Sequence, residues 1–254
     1  MYFDANLGQR LSAPAMPFDS RSFTIEFWFW VSNSGSVNYA FFGQMSNPNT
    51  GQETLFIVSA AGTPYFGFFN LDLTGVGTFT DNVWYHGAFV YDYSVGQKRI
   101  YLNGILNAQT GTGNGAYLGT SGPVTIGGAD VYGSVGVPYF TGAIDHLTVS
   151  LRAKSACEIL NDATLAAYFP FDGSFVDAGP NFLSTASSGT SLVNGFVNQA
   201  LYLSGSNSYF QIIGLTGLGR INYPFSIALW LYPIVPGVIA HVHSAALGKI
   251  FHSF

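Results

Sequence analysis

Between Phe23 and Val31 the chain alternates without a break. Phe23, Ile25, Phe27, Phe29 and Val31 share one phase, and Thr24, Glu26, Trp28 and Trp30 share the other. Successive side chains of a strand point to opposite faces, so this pattern predicts a strand with one face in a core. The same reading places strands at Ala40–Gln44, Thr54–Ser59, Tyr65–Asn70, Trp84–Asp92, Lys98–Leu102, Val124–Ile126 and Ala143–Ser150. Turns rich in Gly, Asn and Ser separate them, among them Asn33-Ser34-Gly35, Asn103-Gly104 and Ser121-Gly122-Pro123. An Asn-Gly pair suits the positive φ angles of a two-residue hairpin turn, so Asn103-Gly104 predicts a hairpin. Short strands at this spacing predict an all-β chain folded as an antiparallel sandwich or jelly roll. Phe23, Ile25, Phe27, Phe29, Phe89 and Ile144 are the expected core.

One short helix is predicted at about Ser155–Ala163. Ser155-Ala156-Cys157-Glu158 is a capping box, in which the serine caps the first turn and the glutamate reaches back to it. Leu165 to Asp172 then returns to a strand pattern, which puts a domain boundary near Thr164.

Part of the pattern is written twice. Ser22–Trp30 (Ser-Phe-Thr-Ile-Glu-Phe-Trp-Phe-Trp) recurs as Pro224–Tyr232 (Pro-Phe-Ser-Ile-Ala-Leu-Trp-Leu-Tyr), 202 positions on, and Met1-Tyr2-Phe3 lines up with Leu201-Tyr202-Leu203. A fixed period implies copies of one fold. The expected organisation is therefore residues 1–163 as one copy lacking its first strand, and 164–254 as the N-terminal half of a second. On that reading the chain is a window from a longer tandem array, with neighbouring copies as partners. Ala167–Phe171, the first strand of the second copy, is then expected to fill the edge beside Ala143–Ser150, because an unpaired edge templates pairing.

Composition narrows the function. Charged residues are 8% of the chain, with 8 Lys and Arg against 13 Asp and Glu. The basic residues are scattered, so the electrostatic footprint of a nucleic-acid binder is absent. The single cysteine, Cys157, excludes an internal disulfide framework and is expected to be a small buried hydrophobe. No Asn-x-Ser/Thr sequon occurs. Ile221 to Ala240 carries no charge over a length that could span a bilayer. Pro233 and Pro236 interrupt it and its first half alternates, so a membrane span is not expected. No signal-peptide pattern precedes Tyr2.

Candidate chemistry is sparse. Glycoside hydrolysis needs two carboxyls flanking the bond. The chain has three glutamates, Glu26, Glu53 and Glu158, and no paired motif. His241 and His243 share a strand face, which could suit a metal or be an ordinary polar face. His86 reads as a packing residue. Tyr39, Tyr65, Tyr85, Tyr132 and Tyr139 lie in or beside turns. They could offer rings to a sugar or simply line the core.

Several motifs together carry a resemblance. Asn82-Val83-Trp84-Tyr85-His86-Gly87-Ala88-Phe89-Val90-Tyr91-Asp92, the hairpin Tyr101-Leu102-Asn103-Gly104, and Phe140-Thr141-Gly142-Ala143-Ile144-Asp145 occur in order. Arg152-Ala153-Lys154-Ser155-Ala156-Cys157-Glu158-Ile159 and Tyr168-Phe169-Pro170-Phe171-Asp172 follow. The set resembles laminin G-like jelly-roll domains of the concanavalin A-like lectin/glucanase superfamily. Two positions depart from that pattern: Gly87 replaces a bulky apolar residue, and His146 a second acidic one.

The resemblance implies a non-catalytic binding or adhesion module, extracellular or on the cell surface, with a glycan or an extracellular protein as ligand. It also implies calcium, for which Asp145, Asp172 and Asp177 are the candidate ligands; the same residues serve equally as turn and cap aspartates. A structural repeat without a specific ligand, or a degenerate glycan hydrolase, are the alternatives.

Overall fold

The computed structural model describes residues 1–32, 38–47, 51–128, 139–179, 181–215, 218, 225–243 and 250–251. Its chain divides into two units, Met1–Thr164 and Leu165–Phe254.

The first unit begins with β1 (Tyr2–Phe3), β2 (Leu11–Ala13), β3 (Phe23–Val31), β4 (Tyr39–Met45), β5 (Thr54–Ala60) and β6 (Thr63–Phe68). It continues with β7 (Asp72–Thr74), β8 (Trp84–Asp92), β9 (Gln97–Leu102), β10 (Ile105–Gln109), β11 (Val124–Ile126), β12 (Gly142–Ser150) and the helix α1 (Ala156–Thr164). Two antiparallel six-stranded sheets result, ordered β1-β12-β3-β8-β9-β10 and β2-β11-β4-β5-β6-β7. The first unit is thus an antiparallel sandwich, with one α-helix among the described residues, as the alternation and the capping box predict. Within the first unit, each strand read from the pattern falls on an observed strand. The turn Asn33-Ser34-Gly35 lies outside the described residues. Only β6 is displaced appreciably: it stops at Phe68, because Phe69 and Asn70 take positive φ angles (26° and 73°) to turn into β7.

The core lies between the sheets. Phe23, Ile25, Phe27, Phe29 and Val31 face it without exposure, and Phe41, Phe42, Ile57, Phe66, Phe68 and Phe89 close over them. Phe27 stacks on Phe89 with centroids 5.6 Å apart, and Phe29 meets Phe41 at 4.7 Å. Such pairs contribute roughly 0.5–1.5 kcal/mol beyond the area they bury. Gly87 has its reason here. A Cβ at this position would stand 3.0 Å from the Phe89 ring and 3.1 Å from the Phe29 ring, so neighbouring rings fill the space a bulky residue would take.

The outer face of the β3 sheet departs from simple alternation. Thr24 and Glu26 sit on the polar phase yet are buried. The segment after β12 lies across them: Ile159 of α1 packs with Ala88, Val90 and Tyr101, and Thr24 Oγ1 donates to Arg152 O at 2.8 Å. The capping box forms as predicted, with Glu158 N–H on Ser155 Oγ and Ser155 N–H on Glu158 Oε2. The Asn103-Gly104 hairpin turn has the expected positive φ angles, 50° and 81°. Cys157, by contrast, is exposed, because Ile159 is the helix residue that faces the sheet.

Beneath α1 lies an ionic group. Lys154 Nζ donates to Glu26 Oε2 and, at 2.8 Å, to Asp162 Oδ2. His86 Nε2 stands 3.9 Å from Glu26 Oε1. Burial raises the Glu26 carboxyl, and the Lys154 bond only partly offsets this. Burial also lowers His86 to about 4, so its imidazole is neutral at physiological pH.

The expected strand exchange does not occur. The edge of β12 is taken by β1, with Tyr2 opposite Ala143 and Phe3 opposite Gly142. Residues 167–171 form no strand. Tyr168 N–H goes to Asp177 Oδ1 and its carbonyl accepts from Ala178 N–H, so the segment is held by single bonds within its own unit. Among the described residues, the second unit also contains three strand pairs, β13 (Ser184–Ser188) with β16 (Tyr209–Ile213), β14 (Thr190–Asn194) with β15 (Gln199–Leu203), and β17 (Val242–His243) with β18 (Ile250–Phe251). Phe169, Phe171 and Phe175 gather round Phe210.

Two stability predictions follow from buried charge. Lys98 is fully buried, its Nζ 4.0 Å from the Phe68 ring centroid with no hydrogen-bond partner, and burial lowers it to about 8. The folded state thus releases this proton more readily than the unfolded chain. The stability it contributes is present above about 10.5 and is lost as pH falls through about 8. Lys98→Met is expected to raise the unfolding free energy at pH 7.5 by about 1 kcal/mol or more, and to flatten its rise between pH 8 and 10. The second prediction is that Lys154→Ala costs roughly 3–5 kcal/mol by stranding Glu26, whereas Glu26→Met with Lys154→Met costs much less. Urea unfolding of the single and double variants measures both.

Candidate functional site

The outer face of the β3 sheet has two halves. α1 covers the half that holds Thr24, Glu26, Ala88, Val90 and Tyr101. The other half is open and aromatic. Register sets Trp30 directly opposite Ala143 on β12 and Trp84 on β8, and sets Tyr2 opposite Ala143 on β1. A single row therefore reads Tyr2, Ala143, Trp30, Trp84 across four strands. Each lies on the outward phase, because Phe3, Ile144, Phe29 and Tyr85 pack on the core. Tyr2 is 58% exposed and Trp84 44%, with Trp30 half-buried between them.

The next row reads Asp145, Trp28, His86. Trp28 meets the His86 ring edge-on at 5.4 Å, so the buried imidazole props one side of the indole. Asp145 stands at a β-bulge. One extra residue separates it from Thr148 relative to β3, and His146 takes φ 47° to accommodate it. Asp145 Oδ1 accepts from His146 N–H at 2.9 Å and lies 3.3 Å from His146 Nδ1, while the side chain stays 60% exposed.

The geometry is that of a shallow trough. Neighbouring strands lie roughly 4.8 Å apart, so Tyr2 and Trp30 rise roughly 10 Å apart with the small Ala143 as floor between them. Trp84 extends the wall of Trp30, and Asp145 closes one end. Flat apolar walls beside a hydrogen-bond acceptor suit a ligand that is apolar on its faces and hydroxylated at its rim.

The three aspartates singled out from sequence fall in both units. Asp145 lies in the first unit, at the trough. Asp172 and Asp177 lie in the second. Asp177 is buried and accepts from the backbone N–H groups of Tyr168, Gly179 and Leu183, each at 2.8 Å. Burial pushes its carboxyl up, and these three bonds outweigh it and leave it lowered. Asp172 accepts from Gln199 N–H and Asn198 Nδ2, which also lower it. Both act as turn and cap aspartates. Among the described residues, no three His, Cys, Asp or Glu side chains gather as a metal site.

Of the tyrosines, Tyr39 is buried in the core and Tyr85 stacks on Phe29. Tyr65 stacks on Phe56, Tyr139 lies under Arg10, and Tyr132 falls outside the described residues. His241 is exposed in the second unit, and the side chain of His243 is likewise outside the described residues. Among the described residues no helix is long and apolar enough to cross a membrane. Alternation alone assigns Trp28 and Trp30 to the polar phase of β3 and does not mark them or Trp84 as a site. The signal was available: an indole on the outward phase is not needed for the core.

Among curated proteins none matches this chain. Among solved structures it resembles the carbohydrate-binding module CBM40 of a Ruminococcus gnavus sialidase, at 14% identity over 61% of this chain and 98% of that one, with a TM-score of 0.49. It also resembles domain 4 of AbnA, an extracellular arabinanase of Geobacillus stearothermophilus solved with arabinotriose, at 18% identity over 61% and 71%, with a TM-score of 0.47. A pentraxin of Limulus polyphemus matches at 17% identity over 80% and 83%, with a TM-score of 0.47. These likenesses extend to the general fold only. The family model Laminin_G_3 matches residues 4–160, nearly the whole first unit and more than half of the sequence. The chain therefore belongs to the concanavalin A-like lectin/glucanase superfamily.

Proposed function

We propose that the first unit is a non-catalytic glycan-binding module, and that the trough walled by Tyr2, Trp30 and Trp84 is its binding surface. The observation that carries this reading is the cross-strand row of outward aromatics. Aromatic side chains on a solvent-facing phase add nothing to the core, and contiguous exposed apolar surface marks an interaction site. A pyranose or furanose ring can lay its C–H face on an indole and turn its hydroxyls to the Asp145 carboxylate.

Two further points support it. The outward aromatics recur within the chain: Tyr2, Trp28 and Trp30 correspond to Tyr202, Trp230 and Tyr232 in the repeated segments. Glu26, the carboxylate of the central strand, is shut beneath α1 and bound to Lys154, where no substrate reaches it. Binding without hydrolysis, outside the cell, is the activity proposed. The neighbours solved with arabinotriose and with α2,3-sialyllactose supply neutral and acidic probes for it.

A glycan array probed with the intact chain tests the proposal, in millimolar calcium and in chelator. Loss of binding in chelator would give calcium a role. Trp84→Ala and Trp30→Ala are expected to weaken the strongest signal at least tenfold, about 1.4 kcal/mol. Trp84→Ala, at an exposed site, should change stability by no more than about 1 kcal/mol. Full binding by both variants, or an array without any signal, would overturn the proposal.

A further inference from the structure

Resting on that glycan-binding reading, we infer that the trough selects uncharged saccharides and rejects those ending in a carboxylate such as sialic acid. The inference comes from where the charges of the first unit stand. Asp145 is the acidic group directly beside Trp28, 60% exposed, with Oδ1 turned to His146. Asp81, also exposed, precedes Trp84 by three residues. The acidic group that the register places beside the trough is thus Asp145, in the row next to Ala143 and Trp30.

The six Lys and Arg residues of the first unit are all placed elsewhere. Lys154 is held by Glu26 and Asp162, Arg152 by Glu158, and Arg99 by Asp92. These three belong to the end of the sheet face that α1 covers. Lys98 is buried in the core. Arg21 precedes the opposite end of β3, nine residues and roughly 30 Å from Trp30 on an extended chain. Arg10 stands over Tyr139, with its Cβ near Gly128 after β11. Two groups near Asp145 can carry positive charge: the His146 imidazole, whose Nδ1 lies 3.3 Å from Asp145 Oδ1, and the α-amino group of Met1, which donates to the backbone Ile144 O at 2.8 Å; neither is a lysine or arginine side chain.

A sugar carboxylate seated between Tyr2 and Trp30 would face Asp145 without a guanidinium or ammonium side chain to pair with. Like charges at contact distance disfavour binding, and the carboxylate would lose hydration without gaining a partner. A hydroxyl at the same place donates to Asp145 Oδ2. The same residue that rewards a neutral ring thus excludes an acidic one, which is how a site discriminates by a repulsive element.

The test uses the intact chain at pH 8 in low salt, unmodified and N-terminally acetylated to remove the Met1 charge. Matched pairs are measured by titration calorimetry: the neutral glycan with the strongest array signal, the same glycan capped with α2,3-linked sialic acid, and the capped form with its carboxylate converted to the amide. The neutral glycan is expected to bind at least tenfold tighter than the acidic form. Amidation, or Asp145→Asn in the protein, should narrow that gap to within about threefold. Equal or tighter binding of the sialylated form, or a gap that neither change narrows, overturns the charge selection while leaving glycan binding in place. Absence of binding to every glycan of the set is instead the failure of the glycan-binding reading itself.

Discussion

Phe23, Ile25, Phe27, Phe29 and Val31 hold β3 in one phase, and a strand has only two. A one-residue slip would carry five apolar side chains out of the core and bring Thr24, Glu26, Trp28 and Trp30 into it. The cost of that exchange pins the register of β3 against both neighbours. It therefore decides which residues stand opposite Trp28 and Trp30. Asp145 faces Trp28 and Ala143 faces Trp30 because the inward phenylalanines leave no other alignment. The open surface is in this sense a by-product of the core, since the residues that shape it are positioned by side chains on the other side of the sheet.

The outward face then had to be shared between two demands. One half is sealed by α1, which buries Glu26 and His86 and pairs the carboxylate with Lys154. A buried ion pair is weak evidence of stability, but breaking it on one side leaves an unpaired charge. The pair therefore fixes where the closing segment lies more than it strengthens the fold. The other half, beyond the reach of a nine-residue helix, keeps its tryptophans in contact with solvent. His86 sits at the boundary, close to Glu26 on the covered side and edge-on to Trp28 on the open side.

The bulge at Asp145 completes the arrangement. Without the extra residue, the outward phase of β12 would continue in step with β3. With it, the carboxylate stands exposed beside Trp28 while Leu147 and Val149 still reach the core. His146 accepts a left-handed backbone angle, which a non-glycine residue adopts at some cost. A strained residue beside an exposed carboxylate, on the same face as three indoles, is the kind of local conflict expected where a surface serves something other than folding.

Local patterns carried much of the fold by themselves. Alternation marked the strands, Asn103-Gly104 the hairpin and Ser155–Glu158 the helix start, because each depends on backbone geometry within a few residues. Five short motifs in order also pointed to the superfamily. What the sequence could not disclose was pairing at a distance. Met1–Asp4 has a strand pattern, but nothing local says which edge it joins, and it is β1 that pairs with β12. The segment after β12 was not expected to bury Glu26, and Cys157 was placed inside a surface it faces away from. The aromatic row belongs to the same class. Tyr2, Ala143, Trp30 and Trp84 are far apart in the chain, and only the registers of three strand pairs bring them side by side. Periodicity assigns a residue to a face, but its neighbours on that face are set by the competition of all strands for one core, which exists only in the tertiary structure.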